Sequence, residues 1–317
     1  MRRSPMPVLL AAGLVVMWSS GFVGAELGTR HAPATTLLAW RFVIVVIPLA
    51  AWCLWRGARM SGRDLAGHAV VGALAQAGYL YGVFAAAEAG VAAGTVALIA
   101  ALQPLAATAL AVPLLGERVR ARQVVGLAVG LFGVALVVGA ELRAPGAAPG
   151  WGYALPFGAM LSLVTATLVE RRWRPGGSAM AAMAVQCSVS AVLFTALAAG
   201  TGTLAPPADP GFWTAVAWVV VLSTVGGYGL YWANLERIGV ARVSALLYLT
   251  PPTTLVWALV MFGRPVGVEA VAGMAVCAAA VALVVDRRPV PPARRGRGLR
   301  PESVPGTPPA PPRRDGR

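Results

Sequence analysis

Ten apolar segments, each about as long as a membrane-crossing helix, constrain this chain most. They span 7–25, 34–55, 65–87, 91–113, 122–140, 151–169, 178–199, 212–235, 240–262 and 267–286. About 20 residues of helix cover the roughly 30 Å hydrocarbon core of a bilayer. Charged residues make up only 12% of the chain, too few to cover a soluble fold. Because lipid offers no hydrogen-bond partners, we predict an all-α integral membrane protein with ten transmembrane helices.

An internal repeat divides these segments into two sets of five. Residues 116–138 and 263–285 align without gaps at an offset of 147, with 11 of 23 positions identical. The same offset places Pro104 on Pro251. A repeat of this length sets the architecture. We predict a first five-helix repeat, a linker, a second five-helix repeat and a disordered, Pro/Arg-rich tail, over 1–140, 141–150, 151–286 and 287–317.

The arginines predict the orientation of the helices. If the N-terminus is cytoplasmic, 22 of the 26 arginines fall on inner segments and three on outer loops. Positive residues accumulate on the cytoplasmic side, so both termini are predicted to be cytoplasmic. An odd number of helices per half makes the two repeats inverted, an arrangement that surrounds a central cavity in many secondary transporters. The absence of lysine, with abundant Ala, Gly and Pro, is typical of a GC-rich bacterial genome, which places the protein in a bacterial cytoplasmic membrane.

Charge and cysteine usage exclude several function classes. Half of the net charge of +14 lies in the tail, which argues against nucleic acid as a partner and leaves either contact with anionic lipid or a solvated tail. Cys53, Cys187 and Cys277 are isolated in apolar segments, without metal-ligand or disulfide spacing. The chain also lacks a P-loop. We therefore predict no cofactor and no metal.

Arg41 is the ionisable residue placed deepest in a predicted helix. An intramembrane charge is costly and is a functional candidate by default. It could face an aqueous cavity and bind a substrate carboxylate, or pair with Glu26 or Glu88. The structural alternative is an arginine that reaches the membrane surface or caps carbonyls of a neighbouring helix. No acidic residue lies clearly at mid-membrane, so the sequence offers no obvious proton carrier.

Polar and aromatic side chains gather on a few of the predicted helices. As a set they suggest a wet cavity, although each one alone fits interhelical hydrogen bonding or an aromatic belt. The candidates for the substrate cavity are Trp18, Ser20, Arg41, Gln76, Tyr79, Gln103, Tyr228, Tyr231, Asn234 and Tyr248. The repeat-related prolines, Pro104 and Pro251, expose backbone carbonyls and are candidates for a hinge or gate, or else simple packing kinks.

Three stretches of the chain together form a specific pattern: WSSGFV at 18–23, WRF at 40–42, and the block from Tyr81 through Pro104 to LLGERVRARQVVGLAVGLFGVALVV. With these, the chain resembles the drug/metabolite transporter superfamily, EamA type. The resemblance implies two inverted five-helix repeats around a central cavity, and movement of small metabolites such as amino acids or their derivatives. Such sequences often carry Gly-Glu after the fourth helix of both halves, whereas the second copy here reads Gly263-Arg264-Pro265.

We therefore predict a secondary transporter, not an enzyme, that exports a small metabolite by alternating access. One alternative is a non-transporting membrane scaffold or sensor. Another is a membrane-embedded transferase, but the two histidines and four aspartates lie in loops or near helix ends and do not assemble a metal or base site. The glycine spacings fit internal packing as well as dimerisation, so the monomer and the homodimer both stay open.

Overall fold

The computed structural model describes residues 6–115, 121–264 and 266–284. The predicted tail lies outside these residues. So does Glu117, the acid of the Gly-Glu pair that follows the fourth predicted helix. The described part of the first half contains seven α-helices: α1 (Met6–Thr29), α2 (Ala34–Trp55), α3 (Gly62–Gly72), α4 (Tyr79–Glu88), α5 (Ala93–Ala100), α6 (Gln103–Leu115) and α7 (Ala121–Arg143). A π-helical turn, Ala73–Gly78, joins α3 and α4 into one continuous helical stretch.

The second half contains a matching set of helices. They are α8 (Ala154–Trp173), α9 (Ala179–Gly200), α10 (Pro210–Trp218), α11 (Gly229–Ile238), α12 (Val240–Leu247), α13 (Thr250–Phe262) and α14 (Val268–Val284). A short 3₁₀ turn, Gly150–Tyr153, precedes α8, and a longer π-helical segment, Val219–Tyr228, joins α10 to α11. The bounds of α12 and α13 are those of α5 and α6 moved by 147 residues, the offset of the sequence repeat.

The described chain has the composition of a multi-pass membrane protein. Eight helical stretches among the described residues are long and apolar enough to cross a membrane. Two shorter apolar stretches, Ala93–Ala107 and Val268–Ala280, are helical as well. The described residues form no β-strand. The predicted all-helical membrane fold is therefore confirmed at this level.

Polar residues and glycines in the loops mark where helices begin and end. Asp209 precedes α10, and its side chain accepts a hydrogen bond from the backbone N–H of Gly211, which satisfies one of the free donors of the first turn. This bond and a second one from His31 hold the pKa of the Asp209 carboxyl below its usual range. Gly263 ends α13 with φ of 64°, a left-handed conformation that glycine adopts without strain.

Small residues let the helices approach closely, which is the main source of packing where lipid surrounds the protein. Among the described helices, α7 and α14 share the most extensive contact. A Cβ on Gly273 would lie 2.7 Å from the carbonyl oxygen of Gly133, and a Cβ on Gly133 would lie 2.9 Å from that of Gly273. One turn away, the Cys277 thiol donates to the carbonyl oxygen of Gly130 at 3.4 Å. Gly130 and Gly133 of α7 therefore pack inside the molecule, against the last described helix.

Helix α1 occupies the centre of the bundle. It contacts α2, α4 and α5 of the first half and the segment Val219–Tyr228, α11 and α13 of the second. Beside it, α2 packs along α9, where the rings of Phe42 and Phe194 stack at 5.8 Å. This arrangement brings the polar faces of α1, α2 and the two π-helical segments together.

Candidate substrate site

A small cavity lies where α1, α2 and the two π-helical segments meet. Its volume is about 50 Å³, enough for little more than a water molecule. Ten residues line it, five of which are candidates from the sequence: Trp18, Gly21, Phe22, Arg41, Gln76, Tyr79, Leu80, Val83, Ser223 and Tyr228. We call this the arginine cavity.

Arg41 is the eighth residue of α2 and is only 2% exposed. Its Nε and Nη1 atoms are buried and have no hydrogen-bond partner among the described residues. The rings of Phe42 and Phe84 lie 5.5 Å and 5.8 Å from the guanidinium carbon and provide cation–π contacts. Such contacts offset only part of the cost of an unpaired buried charge. The geometry therefore leaves the guanidinium free to bind an anion in the cavity.

The two acidic partners considered for Arg41 are engaged elsewhere. Glu26 accepts hydrogen bonds from Arg30 and Arg264, both at 3.0 Å. Glu88 accepts from the backbone N–H of Ala34, at the start of α2. Arg41 itself is 2% exposed, so its side chain does not reach the surface of the described protein.

One hydrogen bond closes the arginine cavity between the two halves of the chain. Gln76 donates from Nε2 to the hydroxyl of Tyr228 at 2.7 Å. Each residue lies in a π-helical segment, Gln76 within Ala73–Gly78 and Tyr228 at the end of Val219–Tyr228. The wide turns of π-helices are frequent at functional sites because they redirect side chains out of the regular helical register.

Aromatic rings form one wall of the arginine cavity. The ring of Trp18 meets that of Tyr228 edge-on at 5.6 Å and lies 5.7 Å from that of Tyr231. Tyr231 is therefore next to the cavity without lining it. An aromatic wall beside a cation suits a molecule with an anionic group and an apolar body.

Other candidates from the sequence lie outside the arginine cavity. Ser20 and Asn234 are buried, and their polar groups bond to backbone carbonyls: Ser20 to that of Met17, and Asn234 to those of Leu10 and Leu230. The Asn234–Leu10 bond is interhelical, as the structural alternative describes, whereas the Ser20 bond lies within α1. Gln103 begins α6, and Tyr248 lies in the break between α12 and α13. Both are partly exposed.

The two predicted breakers stand at helix starts rather than in helix interiors. Pro104 and Pro251 are each the second residue of a helix, α6 and α13, after two-residue breaks at 101–102 and 248–249. In the first turn a proline costs nothing, since the N–H that it lacks has no intrahelical partner there. The broken pairs α5–α6 and α12–α13 are the elements available for a hinge.

Sequence reasoning missed a second and larger cavity, of about 580 Å³. It lies between α5, α7, α13 and α14, and its polar lining includes Thr95, Glu141, Tyr153, Arg264 and Glu269. We call it the glutamate cavity. Glu141 escaped notice because it starts the stretch predicted as a linker, whereas α7 continues to Arg143. The available signal was an acid two residues before an arginine, at the end of an apolar run.

Comparisons with known proteins agree with this architecture. The profile of the EamA-like transporter family matches residues 5–139 and 150–286. A relative from Streptantibioticus cattleyicolor, named a probable terminal-alkyne amino-acid exporter, is 28% identical over 86% of this chain and 91% of its own length. Another from Salmonella typhimurium, named a probable amino-acid metabolite efflux pump, is 25% identical over 80% of this chain and 86% of its own. A crystal structure with 22% identity superposes with a TM-score of 0.59 over 89% of this chain and 96% of its own, a likeness of fold alone.

Proposed function

The chain belongs to the EamA-like transporter family, and from this premise we propose that it exports a small carboxylate-bearing metabolite. The substrate class is an amino acid or a derivative of one. The transport mode is alternating access across the cytoplasmic membrane of a bacterium, with both chain termini on the cytoplasmic side. The relatives named as exporters and efflux pumps support the direction and the class.

The proposed frame is ten transmembrane helices in two inverted repeats. The unbroken helices α1, α2, α7, α8, α9 and α14 would each form one span. The composite rods α3–α4, α5–α6, α10–α11 and α12–α13 would form the other four. Recurrence of helix bounds at the repeat offset supports this frame. Its approximate two-fold symmetry is supported at the α7–α14 contact, where Cys277 bonds to its repeat equivalent, Gly130.

The observation that carries the proposal is the unpaired guanidinium of Arg41. A carboxylate can accept two parallel hydrogen bonds from a guanidinium, which specifies both the charge and the orientation of the ligand. The two unpartnered nitrogens, Nε and Nη1, lie on different forks of the guanidinium, and each can donate a hydrogen bond to a carboxylate oxygen. Binding the substrate carboxylate there would compensate a charge that the described protein residues leave unpaired.

The present size of the arginine cavity implies a conformational step. A space of about 50 Å³ cannot hold an amino acid, since sites for small molecules are typically several hundred Å³. Entry therefore requires the Gln76–Tyr228 hydrogen bond to break and the two π-helical segments to separate. The broken pairs α5–α6 and α12–α13, with Pro104 and Pro251, would supply the hinges for this movement.

Each of the remaining candidates has a role in this scheme. Gln76, Tyr79 and Tyr228 would hydrogen-bond the polar atoms of the substrate, and Trp18 with Tyr231 would contact its apolar part. Asn234 would hold α11 against α1 through its hydrogen bond to the Leu10 carbonyl, and Ser20 would bond within α1 to the Met17 carbonyl. Gln103 and Tyr248 stand at the two helix breaks and would meet the substrate only as the site opens.

Flux into proteoliposomes that contain only this protein tests the proposal. Radiolabelled amino acids are supplied with and without a pH gradient, and the Arg41→Gln variant is compared with the wild type. Loss of a charged hydrogen bond to the substrate predicts a reduction in flux of about tenfold or more. Arg56→Gln is the matched control, because Arg56 follows the same helix α2 but is exposed.

Either of two results contradicts the proposal. Wild-type flux in the Arg41→Gln variant removes the carboxylate site from the arginine cavity. A complete lack of flux in the wild type, for every substrate and in either direction, favours the scaffold or sensor alternative.

A further inference from the structure

The glutamate cavity is more than ten times larger than the arginine cavity and contains both signs of charge. Glu141 near the end of α7 and Arg264 after α13 line it together. Leu98, Val137 and Met274 contribute apolar surface to the same space. A cavity of about 580 Å³ is in the range that binds small molecules.

The Glu141 carboxylate has one oxygen that accepts a hydrogen bond and one that has no donor among the described residues. Its Oε1 accepts a hydrogen bond from the hydroxyl of Thr95. Its Oε2 is buried and has no hydrogen-bond partner among the described residues. Thr95 is itself buried, so the carboxylate is positioned by a fixed donor. A buried carboxylate oxygen without a donor is completed by a cationic donor such as an ammonium group.

Arg264 supplies the complementary charge at the same cavity. Its Nη2 donates to Oε1 of Glu26 at 3.0 Å, which anchors the side chain against α1. The side chain of Arg264 is nevertheless 44% exposed, whereas that of Glu26 is 5% exposed. The same Glu26 oxygen also pairs with Arg30, so Glu26 does not depend on Arg264 alone. The guanidinium is thus fixed and still accessible from the cavity.

We propose that the glutamate cavity is a second substrate site, specific for amino-acid zwitterions with an apolar side chain. The ammonium group binds Glu141, the carboxylate binds Arg264, and the side chain contacts the wall of Leu98, Val137 and Met274. This inference deepens the proposed function and rests on it for the place of the site on the transport path. The arginine cavity recognises the carboxylate, and the glutamate cavity recognises both charged groups.

Three probes that differ by one group test the assignment. L-norleucine carries both charges, hexanoate lacks the ammonium group, and pentylamine lacks the carboxylate. Their binding to purified full-length protein in lipid nanodiscs is measured by calorimetry. All variants are made in an Arg41→Gln background so that carboxylate binding at the arginine cavity does not contribute. Replacing a buried unpaired charge by a neutral amide does not threaten the fold.

The site predicts a different loss for each variant. Glu141→Gln weakens binding of norleucine and pentylamine by about tenfold or more and leaves hexanoate unchanged. Arg264→Gln weakens norleucine and hexanoate and leaves pentylamine unchanged. Thr95→Val, which removes the hydroxyl that donates to Glu141, weakens the amine-bearing probes less than Glu141→Gln does. Glu236→Gln is the matched control, since Glu236 is an exposed acid that is not among the lining residues of either cavity, and it changes none of the three affinities.

Two results overturn the inference. One is unchanged norleucine binding in Glu141→Gln. The other is an equal loss of affinity for all three probes in a Glu141→Gln or Arg264→Gln protein that remains monodisperse and helical. Flux in proteoliposomes separates this inference from the proposed function. If the wild-type protein transports amino acids but Glu141→Gln does not selectively weaken binding of the amine-bearing probes, the second substrate site is contradicted and the proposed function is not. The predicted binding pattern without any transport overturns the proposed function and leaves the binding site standing.

Discussion

The two cavities differ in the burial of their cationic side chain and in whether it has an acidic partner. In the arginine cavity the cation, Arg41, is buried and has no acidic partner among the described residues. In the glutamate cavity the cation, Arg264, is 44% exposed and already forms an ion pair with Glu26. A buried charge lacks the solvation that water supplies to an exposed one. The comparison indicates that Arg41 needs an anionic ligand for charge compensation, whereas the charge of Arg264 is already compensated without a ligand.

The largest expected effect comes from removing the unpaired charge. Arg41→Met keeps the length and apolar stem of the side chain and removes the guanidinium. We expect stability to rise by about 1–4 kcal/mol, as when buried charges are replaced by apolar groups of similar volume. Transport should fall to background in the same variant. Thermal unfolding in detergent and flux in proteoliposomes measure the two effects.

This variant distinguishes a functional arginine from a structural one. A destabilised Arg41→Met protein would show that the guanidinium stabilises the fold, and the contrast between the cavities would disappear. Arg56→Met, on the exposed end of the same helix, should change neither stability nor flux by a measurable amount.

A smaller effect is expected at the wall of the glutamate cavity. Gly273→Leu places a side chain against Val137 Cγ2, which lies 2.3 Å from the position of a Cβ, and against the Gly133 carbonyl at 2.7 Å. Because backbone cannot yield as a flexible side chain does, α7 and α14 must separate. We expect a loss of about 1–3 kcal/mol in thermal unfolding. Norleucine binding at the glutamate cavity should weaken, while the environment of Trp18 in the arginine cavity stays unchanged by fluorescence.

The control for this variant is Gly158→Ala in α8, where a Cβ meets no atom within 4 Å. Equal destabilisation by Gly158→Ala would show that the glycine-to-side-chain change itself, not the α7–α14 contact, is responsible. A stable Gly273→Leu protein with normal binding would mean that the cavity does not depend on this packing.

The smallest expected effect concerns the bond that closes the arginine cavity. Gln76→Ala removes the donor to Tyr228, and interhelical hydrogen bonds in membranes contribute about 0.6 kcal/mol on average. Transport should fall, without unfolding, by no more than a few-fold, and Tyr79→Phe should have an effect of the same size. Gln103→Ala tests the wider candidate set. Reduced flux places α6 on the substrate path, and wild-type flux removes Gln103 from it.

Single residues show why sequence reasoning reached Arg41 but not its surroundings. A charge in an apolar run is visible without a structure, and its depth follows from counting along the helix. Its partners depend on helix packing, however, and Glu26 pairs instead with Arg30, one helical turn away, and with Arg264. Glu141 was overlooked because a helix end cannot be placed to within a turn from sequence, and one extra turn moves this acid from a loop into a cavity wall.

The sequence by itself determined that the chain is helical, membrane-embedded and repeated, because the bilayer leaves few solutions for apolar segments of this length. It also singled out a buried charge. Only the tertiary structure decided that Gln76 and Tyr228, 152 residues apart, share one hydrogen bond. Only the tertiary structure decided that Arg41 stays unpaired while Arg264 does not. The physical reason is that span and period are local properties, whereas charge compensation depends on which helix faces meet.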